Sequence, residues 1–193
     1  SGNQDRVGLK HPAWGRLWEN EQHLDTDILM KNNYFNPSME AEFGIKLNRD
    51  INKETFSLEY LINSIETVHP IIEIHNFVFY GDPPHGPELL ANNAIHAGVV
   101  QGEGIKNLTW DEKTDLKLIY NGKIVDSWFD KKWSQDMPSD IEWLLNELNK
   151  INKNLKKGDL ILIGAFGPPI PINDNELIEV TSSLVGNVSA KFI

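Results

Sequence analysis

The sequence contains no cysteine among its 193 residues. The chain can therefore form no disulfide, offers no thiol nucleophile and has no thiolate with which to bind a metal. Any metal site has to use carboxylates and histidines, which favour a different set of ions from those that prefer sulfur.

Basic residues are scarce relative to acidic ones. The chain has 18 Lys and Arg against 28 Asp and Glu, which gives a formal net charge of −10 at pH 7. Nucleic-acid binding requires clustered basic side chains that displace counterions from phosphates, and anionic membranes also attract basic segments. We therefore expect neither a nucleic acid nor a membrane as partner, and an acidic substrate would need a local cation.

Long hydrophobic runs are missing as well. No run approaches the ~18 apolar residues of a membrane span, and no basic stretch followed by an apolar one marks a signal peptide. The hydrophobic content of 40% and the charged content of 24% are ordinary for a globular protein. We predict a cytoplasmic protein with one large domain or two tightly joined small ones.

The chain does contain a series of strand-like segments. The period of two in MEAEFGIKL (39–47), where two glutamates alternate with apolar residues, predicts a strand. Residues 71–79 are β-branched and aromatic, which favours a second strand. Asn121-Gly122 lies between two apolar runs and predicts a tight hairpin, because both residues adopt positive φ readily. Shorter strands are predicted at 160–163 and 188–192.

Two segments carry apolar residues at helical spacing, and the first lies between the two predicted strands. Its stripe runs from Leu58 to Val68, with members three or four residues apart, as on one face of a helix. Thr55 or Ser57 can cap this helix. His69-Pro70 is expected to end it, because proline disfavours helical geometry in the residue before it.

The second helical segment begins at a predicted capping box of Ser139 and Glu142. Its apolar stripe continues to Leu155, and the helix is expected to end near Gly158. Two helices among many short strands predict an α+β fold dominated by strands rather than alternating βαβ units.

The glutamates of the 39–47 segment are the first candidate functional residues. Glu40 and Glu42 are two positions apart, so on a strand both side chains point to the same face, ~6–7 Å apart at the backbone. This spacing suits two ligands of one hard cation such as Mg²⁺ or Mn²⁺, which would relieve the repulsion between the like charges. The same pattern is also typical of a solvent-facing strand.

A third carboxylate lies in an apolar setting. Glu73 is flanked by Ile71, Ile72 and Ile74, where a charge is costly unless it is paired or bound to a metal. Together with Glu40 and Glu42 it makes a hard-metal triad plausible. His75 shares a strand face with Glu73, and three interpretations are open for it: a further ligand, a partner that orients a ligand, or a buried histidine bonded to the backbone.

Six segments, in order, resemble sequences of one known family. They are HPAWGRLW, MEAEFGIKLNRD, HPIIEIHN, ANNAIHAGVVQG, MPSDIEWLLNEL, and GDLILIGAFGPPIPI followed by VGNVSAKF. The match runs in register from about Lys10 to the last residue. The sequence thus resembles the fumarylacetoacetate hydrolase superfamily, in the branch of the 2-keto-4-pentenoate hydratases and 4-oxalocrotonate decarboxylases.

The resemblance implies a fold, a set of ligands and an assembly. The fold would be the mixed β-roll of the superfamily with a few flanking helices. Residues 37–193 would form its metal-binding domain, and residues 1–36 would be a remnant of the family's N-terminal region. The positions matched to the family's metal ligands are Glu40, Glu42 and Glu73, with Mg²⁺ or Mn²⁺ as the ion. A homo-oligomer is expected.

The implied reaction is the addition of water to the double bond of a 2-oxo-4-enoate, with a substrate like 2-hydroxypenta-2,4-dienoate, or a related lyase step. The metal would chelate the carboxylate and keto oxygens of this small 2-oxo acid and stabilise an enolate. His75, His96 and water on the metal are the candidates for the catalytic base.

The loop GAFGPPIP is predicted to form the wall of the substrate pocket together with Asn93. The loop residues in this hypothesis are Gly164, Ala165, Phe166, Gly167 and Pro168. Its glycines allow the backbone to approach a ligand closely, and its prolines stiffen the loop. The alternative is a plain connection between two strands.

Several residues depart from the family's pattern. The family's N-terminal stretch, with a lysine near the substrate, has no counterpart in the sequence, and the acid of its Pro-Asp-Phe-Gly segment is Ala13. Its Ser-Arg pair is Phe77-Val78, its Asp-Asn is Asn92-Asn93, and its His-Pro is Met137-Pro138. These departures favour a second hypothesis, in which the chain binds a divalent metal and a 2-oxo acid without efficient turnover.

Overall fold

The computed structural model describes residues 9, 11–82 and 84–193. Within them the chain forms eleven strands and three α-helices. The strands are β1 (Gln22–Leu24), β2 (Asp27–Leu29), β3 (Pro37–Leu47), β4 (Ile65–Asn76), β5 (His96–Gln101), β6 (Lys113–Tyr120), β7 (Lys123–Lys132), β8 (Leu160–Leu162), β9 (Ile170–Pro171), β10 (Glu176–Ser182) and β11 (Gly186–Phe192). The helices are α1 (Leu58–Ile62), α2 (Pro87–Ala91) and α3 (Met137–Lys150), with 3₁₀ turns at Glu19–Glu21, Lys31–Asn33 and Asn93–Ile95.

The described strands form two sheets. The first has the order β1-β5-β4-β3-β8, with β9 also paired to β3, and its centre is the long antiparallel pair β3–β4. The second has the order β2-β11-β10-β6-β7. Strands β1 and β2 each pair in parallel with a strand of a different sheet, β1 with β5 and β2 with β11. The segment 22–29 thus contributes β1 to the first sheet and β2 to the second. The division of the chain into domains 1–36 and 37–193 stays a prediction.

The main core lies between the two sheets. On β3 the alternate residues Met39, Ala41 and Phe43 are buried in it, and β4 adds Ile72 and Ile74. The second sheet contributes the inward side chains of β10 and β11, which contact β4. Because side chains alternate along a strand, the other face of β3 and β4 carries Glu40, Glu42, Glu73 and His75.

Several predictions about the elements are confirmed. The strand at 39–47, the closing strand at 188–192 and the α+β class are present. The hairpin turns at Asn121-Gly122, with φ of 47° and 78°, as a two-residue hairpin loop with positive φ at both positions requires. The longest helix of the described residues, α3, has 14 residues, and none of their helices could cross a membrane.

The predicted helix from Leu58 to Val68 is wrong beyond its first turns. Ser57 does cap a helix, since its Oγ accepts the N–H of Tyr60 at 3.1 Å, but α1 ends at Ile62. From Ile65 onward the chain pairs with β3, and Pro70 lies inside β4 opposite Phe43. Local helical propensity is worth little free energy per residue, so the pairing of this segment with the long strand β3 outweighs its helical pattern of apolar residues.

The predicted capping box is also wrong. Helix α3 starts at Met137, before Ser139, and the Ser139 hydroxyl donates to the Asp136 carbonyl. Pro138 lies in the first turn, where its missing N–H leaves no helical hydrogen bond unmade. The helix ends at Lys150 rather than near Gly158, and Leu155 instead forms a β-bridge with Ile51.

We expect Gly122→Ala to reduce the free energy of unfolding by about 1 kcal/mol, since alanine pays a steric cost at positive φ. An added Cβ at Gly122 would meet nothing within 4 Å, so the loss of stability would come from the backbone conformation alone. Urea denaturation measures it. Gly122→Asn is the matched control and should lose less, because asparagine tolerates this region. Equal losses for both variants would contradict this explanation.

Candidate metal centre

The register of β3 and β4 places the acidic side chains on one face. Glu40 lies directly opposite Glu73, and Glu42 lies two residues further along, opposite Ile71. This is the face of β3 that points away from the core. Like charges directly opposite each other on paired strands are destabilising. Packing alone therefore does not favour the pairing of Glu40 with Glu73.

The three predicted glutamates are close together. Glu42 is hydrogen-bonded to Glu73 through their side chains. One carboxylate oxygen each from Glu40 and Glu73 and one ring nitrogen of His75 all lie within 4.8 Å of one another. The side chain of Glu42 is buried, and those of Glu40 and Glu73 are 15% and 13% exposed. The structure thus brings together the residues that the sequence singled out, and their role as metal ligands stays a prediction.

His75 faces the carboxylates. Its Nε2 lies 3.1 Å from Oε2 of Glu40 and 3.8 Å from Oε2 of Glu73. Burial lowers the pKa of His75, but the charges of Glu73 and Glu40 outweigh burial and leave it above the ordinary value. Of the three interpretations open from the sequence, its contacts at Nε2 favour a role among the carboxylates.

His96 approaches the same cluster from β5, where it pairs with His75. Its Nδ1 lies 2.8 Å from Oε1 of Glu73, and its Nε2 lies 3.8 Å from Oε2 of Glu21. Glu21 belongs to a 3₁₀ turn before β1. No local pattern of residues indicated its place in this cluster, because only the parallel pairing of β1 with β5 brings it here.

The carboxylates differ in how readily they ionise. Burial raises the pKa of Glu42 well above its ordinary value, and the neighbouring charges of Glu73 and Glu40 raise it further. Burial also raises the pKa of Glu73, but His75 and His96 outweigh it and hold that pKa below its ordinary value. Glu42 therefore holds a proton more readily than Glu73 does.

The loop after β8 contacts this cluster through its backbone. The N–H of Gly164 donates to Oε2 of Glu42 at 3.3 Å, and the Gly164 carbonyl accepts from the side chain of Gln135 at 3.1 Å. Gly164 has a φ of 95°, which glycine adopts without strain. The predicted loop therefore reaches the carboxylates at one defined point.

The rest of the loop packs elsewhere. The ring of Phe166 lies 5.6 Å from that of Phe43 and 6.0 Å from that of Trp128, and Phe43 is on the core face of β3. A Cβ added at Gly167 would lie 2.4 Å from Trp128. Ala165 is half-buried and Pro168 is exposed. A substrate-binding role for these residues stays a prediction.

Asn93 holds the N-terminal segment. Its Oδ1 accepts the N–H of Arg16 at 2.7 Å, and its Nδ2 donates to the Arg16 carbonyl at 3.0 Å. Its backbone carbonyl is so close to Gly15 that an added Cβ there would lie 2.5 Å away. Both polar ends of the Asn93 amide are thus in use, and its predicted contact with a substrate stays a prediction.

Known proteins resemble this chain in sequence and in fold. No protein-family model matches the sequence. The chain is 27% identical to 2-keto-4-pentenoate hydratase 2 of Dechloromonas aromatica over 198 residues, which cover 98% of this chain and 73% of that protein. Its fold matches 4-oxalocrotonate decarboxylase from Pseudomonas putida G7, solved with magnesium and adipate, with a TM-score of 0.89 at 20% identity over 100% of this chain and 74% of that one.

A fumarylacetoacetate hydrolase family protein from Yersinia pestis CO92 has the same fold, with a TM-score of 0.63 at 14% identity over 92% of this chain and 80% of that one. The chain is thus similar in sequence to 2-keto-4-pentenoate hydratases and shares its fold with proteins of the fumarylacetoacetate hydrolase superfamily. These relatives support the branch expected from the sequence, and the expected fold is confirmed.

The protein contains three buried polar atoms that lack a hydrogen-bond partner within the described residues. They are Ser38 Oγ, His75 Nδ1 and His96 Nε2. Ser38 is opposite His75, and His75 is opposite His96, so the three residues form a row beside the carboxylates. Buried polar atoms are normally paired, and such a row points to a ligand or water. Three carboxylates with an imidazole form a donor set that fits a divalent cation.

We expect Glu42→Gln to stabilise the metal-free protein by about 1–2 kcal/mol, because it removes a buried carboxyl beside two others. The raised pKa of Glu42 fixes the sign of the pH dependence. The folded state holds a proton that the unfolded state has lost, so the native protein loses stability as pH rises. The advantage of the variant should therefore grow as the pH rises above the ordinary pKa of a glutamate.

Urea denaturation in the presence of EDTA measures this difference. Glu66→Gln is the matched control, since Glu66 is on β4 but 39% exposed and paired with Lys106. A Glu42→Gln protein that is less stable than the native chain at pH 8 would contradict the expected repulsion.

Proposed function

We propose that this chain is a metal-dependent hydratase that adds water to a carbon–carbon double bond of a 2-oxo acid resembling 2-hydroxypenta-2,4-dienoate. The observation that carries the proposal is the convergence of Glu40, Glu42 and Glu73 on one buried face of β3 and β4, with His96 hydrogen-bonded to Glu73. Buried acidic clusters with unpaired polar atoms beside them are typical of functional sites rather than of packing.

The relatives support the reaction class. The sequence relative is a hydratase of 2-keto-4-pentenoate, and the structural relative is a decarboxylase of 4-oxalocrotonate that was solved with magnesium and a dicarboxylate, adipate. Both act on small 2-oxo acids. An acidic chain with a net charge of −10 repels such anions unless positive charge is available where they bind.

Glu40, Glu42 and Glu73 would hold Mg²⁺ or Mn²⁺. A divalent cation at this position supplies the positive charge that attracts the carboxylate and keto oxygens of a 2-oxo acid and stabilises negative charge on its enolate. The contribution of the protein is to keep the three carboxylates on one face through the register of β3 and β4. The fold thus supplies a rigid site on strands rather than on a loop.

His96 is the stronger of the two candidates for acid–base chemistry. Its Nδ1 is held by Glu73 at 2.8 Å, which fixes the ring. Its buried Nε2 has no hydrogen-bond partner in the described part of the chain, and Oε2 of Glu21 lies 3.8 Å away. Hydration places a hydroxyl on one carbon and a proton on another, so one group must accept a proton and one must return it. An oriented imidazole can do both. His75 is the second candidate.

The loop of Gly164, Ala165, Phe166, Gly167 and Pro168, together with Asn93, would form the substrate wall. The contact from the Gly164 N–H to Glu42 supports this part of the proposal, because it places loop backbone beside the carboxylates. A substrate that reaches the carboxylates would therefore meet this backbone.

The second candidate function is binding of metal and 2-oxo acid without efficient turnover. It is favoured by Phe77-Val78, which stand where the family has Ser-Arg, and by Ala13 in place of an acid. Loss of one proton-transfer group costs about 10²–10⁴ in rate, so the two functions differ by a measurable amount. The homo-oligomer and the cytoplasmic location stay predictions.

A turnover and binding assay with a panel of 2-oxo acids tests the proposal. The protein is stripped with EDTA, reloaded with Mg²⁺ or Mn²⁺, and followed by the loss of dienol absorbance and by thermal shift. We expect metal-dependent hydration by the native chain and by Glu66→Gln. Metal-dependent binding with no hydration would overturn the hydratase in favour of the second candidate. If neither hydration nor ligand binding depends on the metal, both candidates are wrong.

A further inference from the structure

His75 places a nitrogen among the carboxylate oxygens. Its Nε2 is 3.1 Å from Oε2 of Glu40 and 3.8 Å from Oε2 of Glu73. Ligand atoms at neighbouring corners of an octahedral site with bonds of ~2.1 Å lie about 3 Å apart. The spacing of these three atoms therefore suits neighbouring ligands of one ion after small side-chain movements.

A second histidine on the same strand shows what a purely structural role looks like. His69 is also buried, and both of its ring nitrogens are paired with neutral groups: Nδ1 lies 2.9 Å from the Gly102 carbonyl and Nε2 lies 2.7 Å from Oγ1 of Thr67. His75 differs in both respects. Its Nε2 faces only carboxylates. The side chain is only 6% exposed, and its Nδ1 has at most a weak contact with the backbone of Ile95.

The hydrogen bond between His75 and Glu40 joins two atoms that can each bind a cation. An N–H that bridges to a carboxylate places a proton where a metal would bind both atoms, and metal binding releases such protons. Ligation at Nε2 leaves the ring proton on Nδ1. Ser38, whose buried Oγ also lacks a partner in the described chain, is directly opposite His75 on β3.

We propose that His75 is a fourth protein ligand, through Nε2, and that it makes the site prefer first-row transition cations such as Co²⁺ over Mg²⁺ and Ca²⁺. The inference rests on the proposed metal site of Glu40, Glu42 and Glu73. Imidazole suits transition cations, whereas Mg²⁺ and Ca²⁺ favour an all-oxygen donor set. The histidine therefore determines which ion the site retains when several are present.

Electron spin echo spectroscopy of the Mn²⁺-loaded protein tests ligation directly. A histidine nitrogen bound to Mn²⁺ modulates the echo, and labelling the protein with ¹⁵N-histidine replaces the ¹⁴N pattern without any substitution. We expect this modulation in the full native chain. It should persist in His96→Gln, the matched control, because His96 contacts Glu73 without being a ligand, and it should disappear in His75→Gln.

Calorimetric titration measures the preference. We expect the native protein to bind Co²⁺ at least about 100-fold more tightly than Mg²⁺, and His75→Gln to lose about 10–100-fold in Co²⁺ affinity with little change for Mg²⁺. The titrations and the labelled native protein keep the test valid if the variant folds poorly.

The outcomes separate this inference from the proposed function. Mn²⁺ binding without histidine modulation would overturn the role of His75 and leave the carboxylate site intact. Modulation that is lost in His96→Gln and kept in His75→Gln would assign the nitrogen to His96 and also overturn it. A native chain that binds neither Mn²⁺ nor Co²⁺ would overturn the proposed metal site itself.

Discussion

Replacing Glu73 by glutamine is expected to weaken Mn²⁺ binding by at least about 100-fold and to remove metal-dependent hydration, since even partners that only orient a ligand contribute 10–100-fold. Glu73 is the central member of the cluster. It is opposite Glu40, hydrogen-bonded to Glu42, and within 3.8 Å of His75 and 2.8 Å of His96. Glutamine has nearly the same shape but no negative charge, so the loss reports on the charge.

Titration of the stripped protein with Mn²⁺, followed by the disappearance of the free-ion electron paramagnetic resonance signal, measures this affinity. Glu66→Gln removes a carboxylate from the same strand outside the cluster and should bind as the native protein does. Circular dichroism of both variants checks that the sheets are retained. An affinity of folded Glu73→Gln within about threefold of the native value would contradict a metal site built around this residue.

The second large effect is expected in the core, where Phe43→Ala should lower the free energy of unfolding by about 3–5 kcal/mol. Phe43 is fully buried on β3, and its ring contacts that of Phe166 edge-on at 5.6 Å between centroids. The substitution leaves a cavity beneath the loop that follows β8. For a domain of this size such a loss approaches a large part of the total stability.

Urea denaturation measures the loss, and Phe129→Ala is the matched control. Phe129 is on β7 and 61% exposed, so the same chemical change there should alter stability by less than about 1 kcal/mol. Because Phe43 points to the opposite face of β3 from Glu42, Mn²⁺ affinity of folded Phe43→Ala should change far less than that of Glu73→Gln. Similar losses of stability for the two phenylalanine variants would contradict the assigned core.

The sequence by itself determined which side chains share a face. The alternation from Met39 to Leu47 predicted the strand, and with it that Glu40 and Glu42 point the same way. Asn121-Gly122 predicted the hairpin, because few residue pairs accept positive φ at both positions. The ordered resemblance of six segments pointed to a superfamily whose fold the structure shares. The strand and the turn depend on local patterns, and the resemblance depends on many positions along the chain. All three can therefore be recognised without a structure.

Only the tertiary structure decided which strands pair and in what register. A period of two tells which face a residue occupies, but a shift of one position would move every side chain of the partner to the other face. The pairing of Glu40 with Glu73 and of His75 with His96 follows from contacts between segments far apart in the sequence. Pairing with β3 made residues 65–70 part of β4 despite their helical pattern, and the pairing of β1 with β5 brought Glu21 close to His96. Such contacts depend on the packing energy of both sheets together, which cannot be predicted from a local pattern of residues.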